Sequence, residues 1–367
     1  MKFSECVEIV GSKPSRYQGI KQYVSTGALD SDHIDENSIE EYAYDDRPSR
    51  ADLVAEAGNV LFAKMAETKK TLVINNQNEK YLFSTGFFAV KPKKNVLTTE
   101  CLYYLLNSNT FLSQKDKYSS GATQKAISNA GLEKIIVNIP CFSKQEDIVK
   151  QLDKLSNIIK KTRKQLLNFD LLIKSRFIEM FGDPVTNPME WEMTELGNVC
   201  TEVKYGTSKP ATENGKYTYL RMNNITYEGE LDLTNIKTID ISDDELPKCS
   251  VRKGDILFNR TNSIDLCGKT CLFKLDETMV IAGYIIRVRV NEKLNPQYVA
   301  TFFNTKSIKK MLREMAKGAV NQANINAQEM QAIKIPLPPI GLQNDYELFV
   351  QQIDKSKFEN NYKELVA

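Results

Sequence analysis

Gly58-Asn59-Val60-Leu61-Phe62 returns 196 residues later as Gly254-Asp255-Ile256-Leu257-Phe258. Ser12-Lys13-Pro14 returns at the same offset as Ser208-Lys209-Pro210. Leu105-Leu106-Asn107-Ser108 and Gly121-Ala122 return at 197, as Phe302-Phe303-Asn304-Thr305 and Gly318-Ala319. Ile139-Pro140 with Gln145 returns at 198 as Leu337-Pro338 with Gln343. An offset this steady marks an internal duplication. Two similar but diverged halves are expected to do one thing twice, with two specificities.

Each half reads as α+β. Leu72-Val73-Ile74 and Phe87-Phe88-Ala89-Val90 carry strand patterns, as does the alternating run Gly283 to Val290. Thr99 to Leu112 reads as one short helix with Leu102, Leu105, Leu106 and Phe111 near one face, and Pro296 to Met315 reads as its counterpart. The stretch between the halves differs in texture. From Ser143 to Phe181 there is neither Gly nor Pro. Ile148, Leu152, Leu155, Ile159, Thr162, Leu166, Phe169, Ile173, Arg176 and Met180 follow alternating steps of four and three. That is a heptad seam, on a rod on the order of 55 Å long. Gly182-Asp183-Pro184 stops it. Gln343 to Ala367 is again free of Gly and Pro, and it is shorter. Tyr346, Phe349, Ile353, Phe358, Tyr362 and Leu365 supply its apolar face. The two rods pack on each other antiparallel, or each packs on its own globular unit or on a partner chain. The first arrangement is the economical one.

The expected plan is therefore an internal repeat of two globular α/β units: 1–141, a central helix 142–183, a second unit 184–339 and a C-terminal helix 340–367. The chain has 367 residues, 41% of them hydrophobic and 26% charged, which fits folded domains with their own cores. No apolar run approaches the roughly 20 residues of a membrane helix. The N-terminus lacks the apolar core of a signal peptide, so the cytoplasm is the expected location. Seven scattered cysteines fit reduced thiols. Cys267 and Cys271 lack the second pair or nearby His of a zinc site. A net charge of +2 neither demands nor excludes nucleic acid, since local patches bind phosphate.

The layout resembles the specificity (S) subunits of Type I restriction-modification systems. Phe181-Gly182-Asp183-Pro184 followed by Trp191 and Leu196-Gly197 looks like that family's passage from its central conserved helix into the second target recognition domain. Gly254-Asp255-Ile256-Leu257-Phe258 looks like its mid-domain strand. Ile335-Pro336-Leu337-Pro338-Pro339 with Gln343 looks like the entry to a conserved helix, and Val350 to Lys357 is similar to that helix itself. The resemblance implies two target recognition domains in inverted orientation, a pseudo-two-fold repeat, each binding half of a bipartite sequence in double-stranded DNA. It implies two long helices packed as an antiparallel coiled coil, which set the spacer and dock two modification (methyltransferase) subunits. Restriction subunits, which are ATP-dependent translocases and nucleases, join that assembly. The chain itself would be noncatalytic within an adenine-specific methylation and restriction complex of host defence. It would carry no cofactor and no metal, with S-adenosylmethionine on the modification partner.

The residues agree with a binding role. The sequence has no Asn-Pro-Pro-aromatic motif to grip a flipped adenine. Asn187-Pro188-Met189-Glu190 is the nearest string. A P-loop is absent as well. His33 is the single histidine, so His pairs and triads are excluded. The carboxylates Asp30, Asp32, Asp35 and Glu36, and Asp243, Asp244 and Glu245, read as solvated acidic loops. The alternatives are a methyltransferase or nuclease with unrecognised motifs, or a coiled-coil assembly scaffold.

For DNA contact the candidates are polar residues at matching positions of the two halves. Lys64 matches Arg260, followed by Asn262, and Lys13 matches Lys209. Gln124 and Lys125 lie in the Gly-Ala loop that faces Asn321 and Gln322 in the second half. Tyr17, Tyr23, Tyr205 and Tyr217 either pack on sugars or belong to the cores. Lys150, Lys154, Lys160, Lys161, Arg163 and Lys164 lie over spacer phosphates or form a solvated helix face. The candidate seam residues are Leu152, Leu155, Ile159, Leu166, Phe169, Ile173, Phe349 and Ile353.

Overall fold

The computed structural model describes residues 1–122, 124–316 and 323–366, with side chains through Lys357. The chain divides into Met1–Ile158 and Ile159–Ala367.

In the first unit eight strands form two four-stranded sheets. They are β1 (Val7–Val10), β2 (Ile20–Val24), β3 (Glu40–Ala43), β4 (Ala51–Leu53), β5 (Val60–Ala63), β6 (Thr71–Val73), β7 (Leu82–Ser84) and β8 (Phe87–Pro92). One sheet has the order β1-β8-β5-β6, the other β3-β2-β7-β4. Only β2 and β7 pair parallel, Tyr23 opposite Leu82. Helices α1 (Thr99–Leu106), α2 (Asn109–Lys117) and the long α3 (Phe142–Phe181) follow.

The second unit is described in the same terms: β9 (Cys200–Tyr205), β10 (Tyr217–Leu220), β11 (Lys237–Ile239), β12 (Ser250–Val251), β13 (Ile256–Asn259), β14 (Thr270–Leu272), β15 (Met279–Ile281) and β16 (Ile285–Val290). The sheets run β9-β16-β13-β14 and β11-β10-β15-β12, the same order strand for strand. Here too the parallel pair is the second strand with the seventh, Tyr219 opposite Val280. Helices α4 (Pro296–Asn304), α5 (Lys306–Met315) and α6 (Ile340–Val366) follow.

The repeated Gly-x-hydrophobic-Leu-Phe string is the central strand of the first sheet in each unit. Side chains of a strand alternate between faces, and both faces here are covered. Val60 and Phe62 join the helix-side core with Leu102 and Phe111, while Leu61 and Ala63 join Phe83 and Phe87 on the other side. Ile256 and Phe258 likewise pack with Phe302 and Phe303, and Leu257 with Ile281 and Ile285. Gly58 and Gly254 open these strands at positive φ, 87° and 91°, where glycine carries no strain.

β16 does not alternate between core and solvent as the run Gly283 to Val290 suggests. Ile285, Ile286, Arg287 and Val288 are all fully buried. Arg287 sits opposite Leu257 and is neutralised by Glu202, with the Ser250 and Pro247 carbonyls as further acceptors. Arg289 forks onto Asp255 at 2.6 and 3.0 Å.

The single helices expected over Thr99–Leu112 and Pro296–Met315 are each broken in two. Side chains that cap a new helix compete with continuation of the old one. Ser108 accepts from Phe111 N at 3.2 Å and starts α2. Thr305 turns its hydroxyl back to the Phe302 carbonyl at 2.8 Å, where α4 gives way to α5.

One buried glutamine fixes the start of each long helix. Gln145 accepts from Thr98 N at 2.9 Å and donates to the Val96 and Pro140 carbonyls at 2.8 and 3.1 Å. Gln343 accepts from Asn295 N at 2.8 Å and donates to the Lys293 and Pro338 carbonyls at 3.1 and 2.8 Å. Thr98 and Asn295 are themselves the N-caps of α1 and α4. One amide therefore ties the long helix to the start of the short one.

α3 is 40 residues long, about 60 Å. All ten seam positions from Ile148 to Met180 are half-buried, including Leu152, Leu155, Ile159, Leu166, Phe169 and Ile173. In the second unit its last turns meet α6. Tyr346 packs edge-on against Phe177 and Phe181, each 5.5 Å between centroids, and its hydroxyl donates to the Ile173 carbonyl at 3.2 Å. Arg176 lies over the half-buried Phe349, and Lys357 pairs with Asp170 at 2.6 Å. Residue numbers rise on α6 as they fall on α3, so the two run antiparallel here. Ile353 is half-buried, while the deepest positions of α6 are Tyr346 and Val350. Phe358, Tyr362 and Leu365 lie outside the described side chains. Gly182, at φ 76°, ends α3 by donating to the Ile178 carbonyl, and a Cβ there would lie 2.7 Å from Pro188.

Replacing Gln343 by Leu keeps the volume but strands Asn295 N–H and two carbonyls. We expect a loss of about 2–3 kcal/mol in denaturant unfolding, with a similar loss for Gln145→Leu. The carboxyl of Glu202 gives a pH signature. Burial pushes it up, but the bond from Lys204 and the charges of Arg287 and Arg289 outweigh this and hold it below its ordinary value. A depressed carboxyl contributes stability above its unfolded pKa and loses it as the pH falls through the folded one. Thermal melts of wild type and Glu202→Gln should therefore differ at neutral pH and converge below about pH 4. Parallel curves would show that Glu202 is not the titrating group.

Candidate nucleic-acid interface

The loop after β9 is stitched across the two sheets of the second unit. Thr207 N donates to the Ile281 carbonyl at 2.9 Å, and Gly283 N donates to the Thr207 carbonyl at 2.7 Å. A Cβ on Gly206 would run into the Ile281 carbonyl, so glycine is required there. From beneath, the hydroxyl of the buried Tyr219 donates to the Lys209 carbonyl at 3.0 Å. Lys209 thus projects from a fixed backbone, and its exposed ammonium pairs with Glu245.

Arg260 follows β13 directly. Its N–H donates to the Tyr284 carbonyl at 2.9 Å, and its guanidinium lies 4.9 Å from the Tyr205 ring centroid. Arg260 Nε donates to Asn324 Oδ1 at 3.0 Å, an oxygen that also accepts from Thr261 at 2.9 Å. Asn262 turns inward instead, donating to Asn259 Oδ1 at 2.9 Å. Lys209, Arg221, Asn223, Arg260 and Tyr284 line one open groove of about 760 Å³, with Pro210, Ala211 and Ala282 on its apolar wall. Lys209 and Arg260 are thereby brought together, and Asn262 is not among the lining residues. Asn321 and Gln322 lie outside the described residues.

The first unit presents the same positions differently. Lys13 is 86% exposed and reaches Asp52 at 3.4 Å. Lys64 is half-buried. Its ammonium donates to the Thr85 carbonyl at 2.8 Å and lies 4.4 Å from the Phe88 ring centroid. Burial pushes its pKa down. It is thus engaged with its own unit rather than extended. Gln124 and Lys125 are exposed, and the Lys125 carbonyl accepts from Ala66 N at 2.9 Å. Gly121, at φ 143°, allows this turn, since a Cβ there would strike the Gln124 carbonyl.

The tyrosines divide. Tyr23 is buried beneath its loop, as Tyr219 is in the second unit, and Tyr17 donates to the Tyr42 carbonyl at 3.1 Å. Tyr205 is exposed and underlies Arg260. Sequence reasoning missed Arg221, Asn223 and Tyr284, because the duplicated strings do not include them. The signal that reaches Tyr284 is its place just before β16, opposite Arg260.

His33 is exposed beside Asp30 and Asp32. Asp35 caps the turn Glu36–Ser38, which gives that acidic loop a structural role. Cys267 and Cys271 are buried free thiols pushed up by burial, Cys267 to about 11. Among the described residues no helix is long and apolar enough to cross a membrane.

Comparison with known proteins places this arrangement. The sequence pattern of the Type I restriction modification DNA specificity domain matches residues 15–168 and again 188–366. The chain is 22% identical over 309 residues to the Type I restriction enzyme EcoKI specificity subunit of Escherichia coli K12, covering 79% of this chain and 66% of that one. It is 28% identical over 171 residues to the putative Type I restriction enzyme MjaX specificity subunit of Methanocaldococcus jannaschii, covering 46% of this chain and 40% of that one. The matches therefore span less than two thirds of these relatives' length. Among solved structures, a chain of a type I R-M system studied for its assembly and conformational transition superposes with a TM-score of 0.57 at 19% identity, covering 100% of this chain and 93% of that one. The Type I restriction-modification S subunit from M. genitalium does so with 0.54 at 13% identity, covering 100% and 91%. Both are likenesses of fold. With the domain pattern matched twice over most of its length, the chain belongs to the Type I restriction modification DNA specificity domain family.

Proposed function

We propose that the chain is the DNA-specificity subunit of a Type I restriction-modification complex. The observation that carries this reading is the pairing of one fold plan, repeated strand for strand, with different side chains at matching loop positions. Lys64 answers Arg260 and Gly86 answers Tyr284, while Lys13 and Lys209 keep the same residue in different surroundings. Repetition of the framework with divergence of the presented residues suits two recognition domains that read different halves of a bipartite duplex sequence. The family's known role points the same way.

In this reading the chain is a noncatalytic subunit of an adenine-specific complex, acting in the cytoplasm. Two modification subunits supply the methyltransferase with its S-adenosylmethionine, and ATP-dependent restriction subunits join them. α3 and α6 form an antiparallel coiled coil, and the two units are copies of one internal repeat. The helices also offer a docking face. Leu167, Leu171 and Ile178 are 65%, 61% and 41% exposed and fall at helical spacing on one side of α3. The basic stretch Lys154, Lys160, Lys161, Arg163 and Lys164 is exposed, in keeping with a path along spacer phosphates, and Lys150 is paired with Glu146 at 2.7 Å.

Two experiments test this. Exchanging residues 1–141 for the corresponding part of a relative, and mapping methylated adenines in cells that also carry the modification partner, should change one half of the recognised sequence. A change in both halves together would overturn the modular reading. Inserting four residues, slightly more than one helical turn, in the middle of α3 adds about 6 Å. At about 3.4 Å per base pair the preferred spacer should lengthen by about two base pairs. An unchanged spacer would show that the helix is not the ruler.

A further inference from the structure

At matching positions the two units differ sharply where β8 and β16 begin. In the first unit the residue is Gly86, where a side chain could enter only by displacing the Thr26 methyl. A Cβ there would lie 2.8 Å from Thr26 Cγ2 and 3.2 Å from Ser84 Oγ. Lys64 folds back over this point onto the Thr85 carbonyl. In the second unit the residue is Tyr284, which is 52% exposed. Its backbone is held on both sides of the carbonyl, which accepts from Arg260 N at 2.9 Å and from the buried Asn259 Nδ2 at 3.1 Å. Its hydroxyl has no hydrogen-bond partner among the described residues. The fold therefore fixes the backbone that presents the ring and leaves its hydroxyl and much of its surface open.

The surroundings state what that ring meets. Lys209, Arg221 and Arg260 line the same groove, with no carboxylate among the lining residues and Glu245 pairing with the Lys209 ammonium beside it. Arg221 corresponds to Ser25 in the first unit, by the register of Tyr219 with Val280 and Tyr23 with Leu82. Its Nη2 donates to the Asn235 carbonyl at 2.8 Å. Two guanidiniums and a carboxylate-paired ammonium around an exposed aromatic ring on a fixed backbone suit a nucleic acid. The cations take phosphate, and the ring takes a base face or a thymine methyl. An exposed tyrosine loses little conformational freedom on binding, so it discriminates at low entropic cost.

Resting on the DNA-specificity reading above, we propose that Tyr284 is a specificity-determining residue of the second unit, and that the closed Gly86 position leaves the first unit to read its half-site through other residues. The test uses the full chain with its modification partner and synthetic duplexes taken from mapped methylation sites, each base pair of both half-sites substituted in turn. For Tyr284→Ala and Tyr284→Gly, discrimination at one or two positions of one half-site should fall about tenfold, with the other half-site unchanged and the melting temperature preserved. A uniform loss over all duplexes would assign Tyr284 to backbone contact and overturn the proposal. So would a pattern of base preference identical to wild type. If the wild-type complex itself methylates without sequence preference, the DNA-specificity reading falls and this inference falls with it.

Discussion

A side-chain amide at the root of each long helix is the constraint on which the architecture depends. Gln145 and Gln343 are both fully buried, and each satisfies one backbone donor and two carbonyls. Left unmet, such groups cost about 1–3 kcal/mol each. Glutamine suits the task because a single side chain carries both acceptor and donors. Glutamate would lose the donors, and leucine everything. The consequence is geometric. The helix start, the preceding proline turn and the cap of the short helix are held together as one corner in each unit.

Around that corner the two units solve one packing problem with different means. Asn59 and Asp255 both cap the turn before the central strand, accepting from Glu56 N and Arg252 N. Only Asp255 also takes Arg289. The buried Arg287 stands where the first unit has Ala89, by the pairing of Leu61 with Ala89 and Leu257 with Arg287. A buried arginine is tolerable because Glu202 and two carbonyls meet it, and removing one partner would leave an uncompensated charge. A shared framework thus accommodates a charged interior in one copy and an apolar interior in the other.

Much of this was legible in the sequence. The repeat marked the central strands and the glutamine corners, since an identical backbone needs the same few residues at Gly58 and Gly254, Pro140 and Pro338, Gln145 and Gln343. The heptad steps of α3 were legible because a long periodic pattern has few other readings. The second sheet of each unit was not, because strands as short as Ser250–Val251 leave no period to detect. The helix breaks at Ser108 and Thr305 were hidden as well, where a hydroxyl chose backbone capping over continuation. Of the candidate contact residues, Lys209 and Arg260 do share a groove. Lys64, which matches Arg260 in the repeat, lies against the Thr85 carbonyl and the Phe88 ring, as Arg260 lies against Asn324 and Tyr205.

The distribution of α3 between the units bears on how the chain folds as it is made. The first unit's core closes with Val149, near the start of that helix. The second unit's core takes Phe177 and Phe181 from the end of the same helix and Tyr346 and Val350 from α6. During synthesis the first unit has all its core residues before the second begins. The second waits, with an aromatic cluster open, until residue 350 has left the ribosome. Its exposure to proteases and to aggregation is therefore concentrated in that interval, and a premature stop within α6 would spare the first unit and leave the second without its final wall.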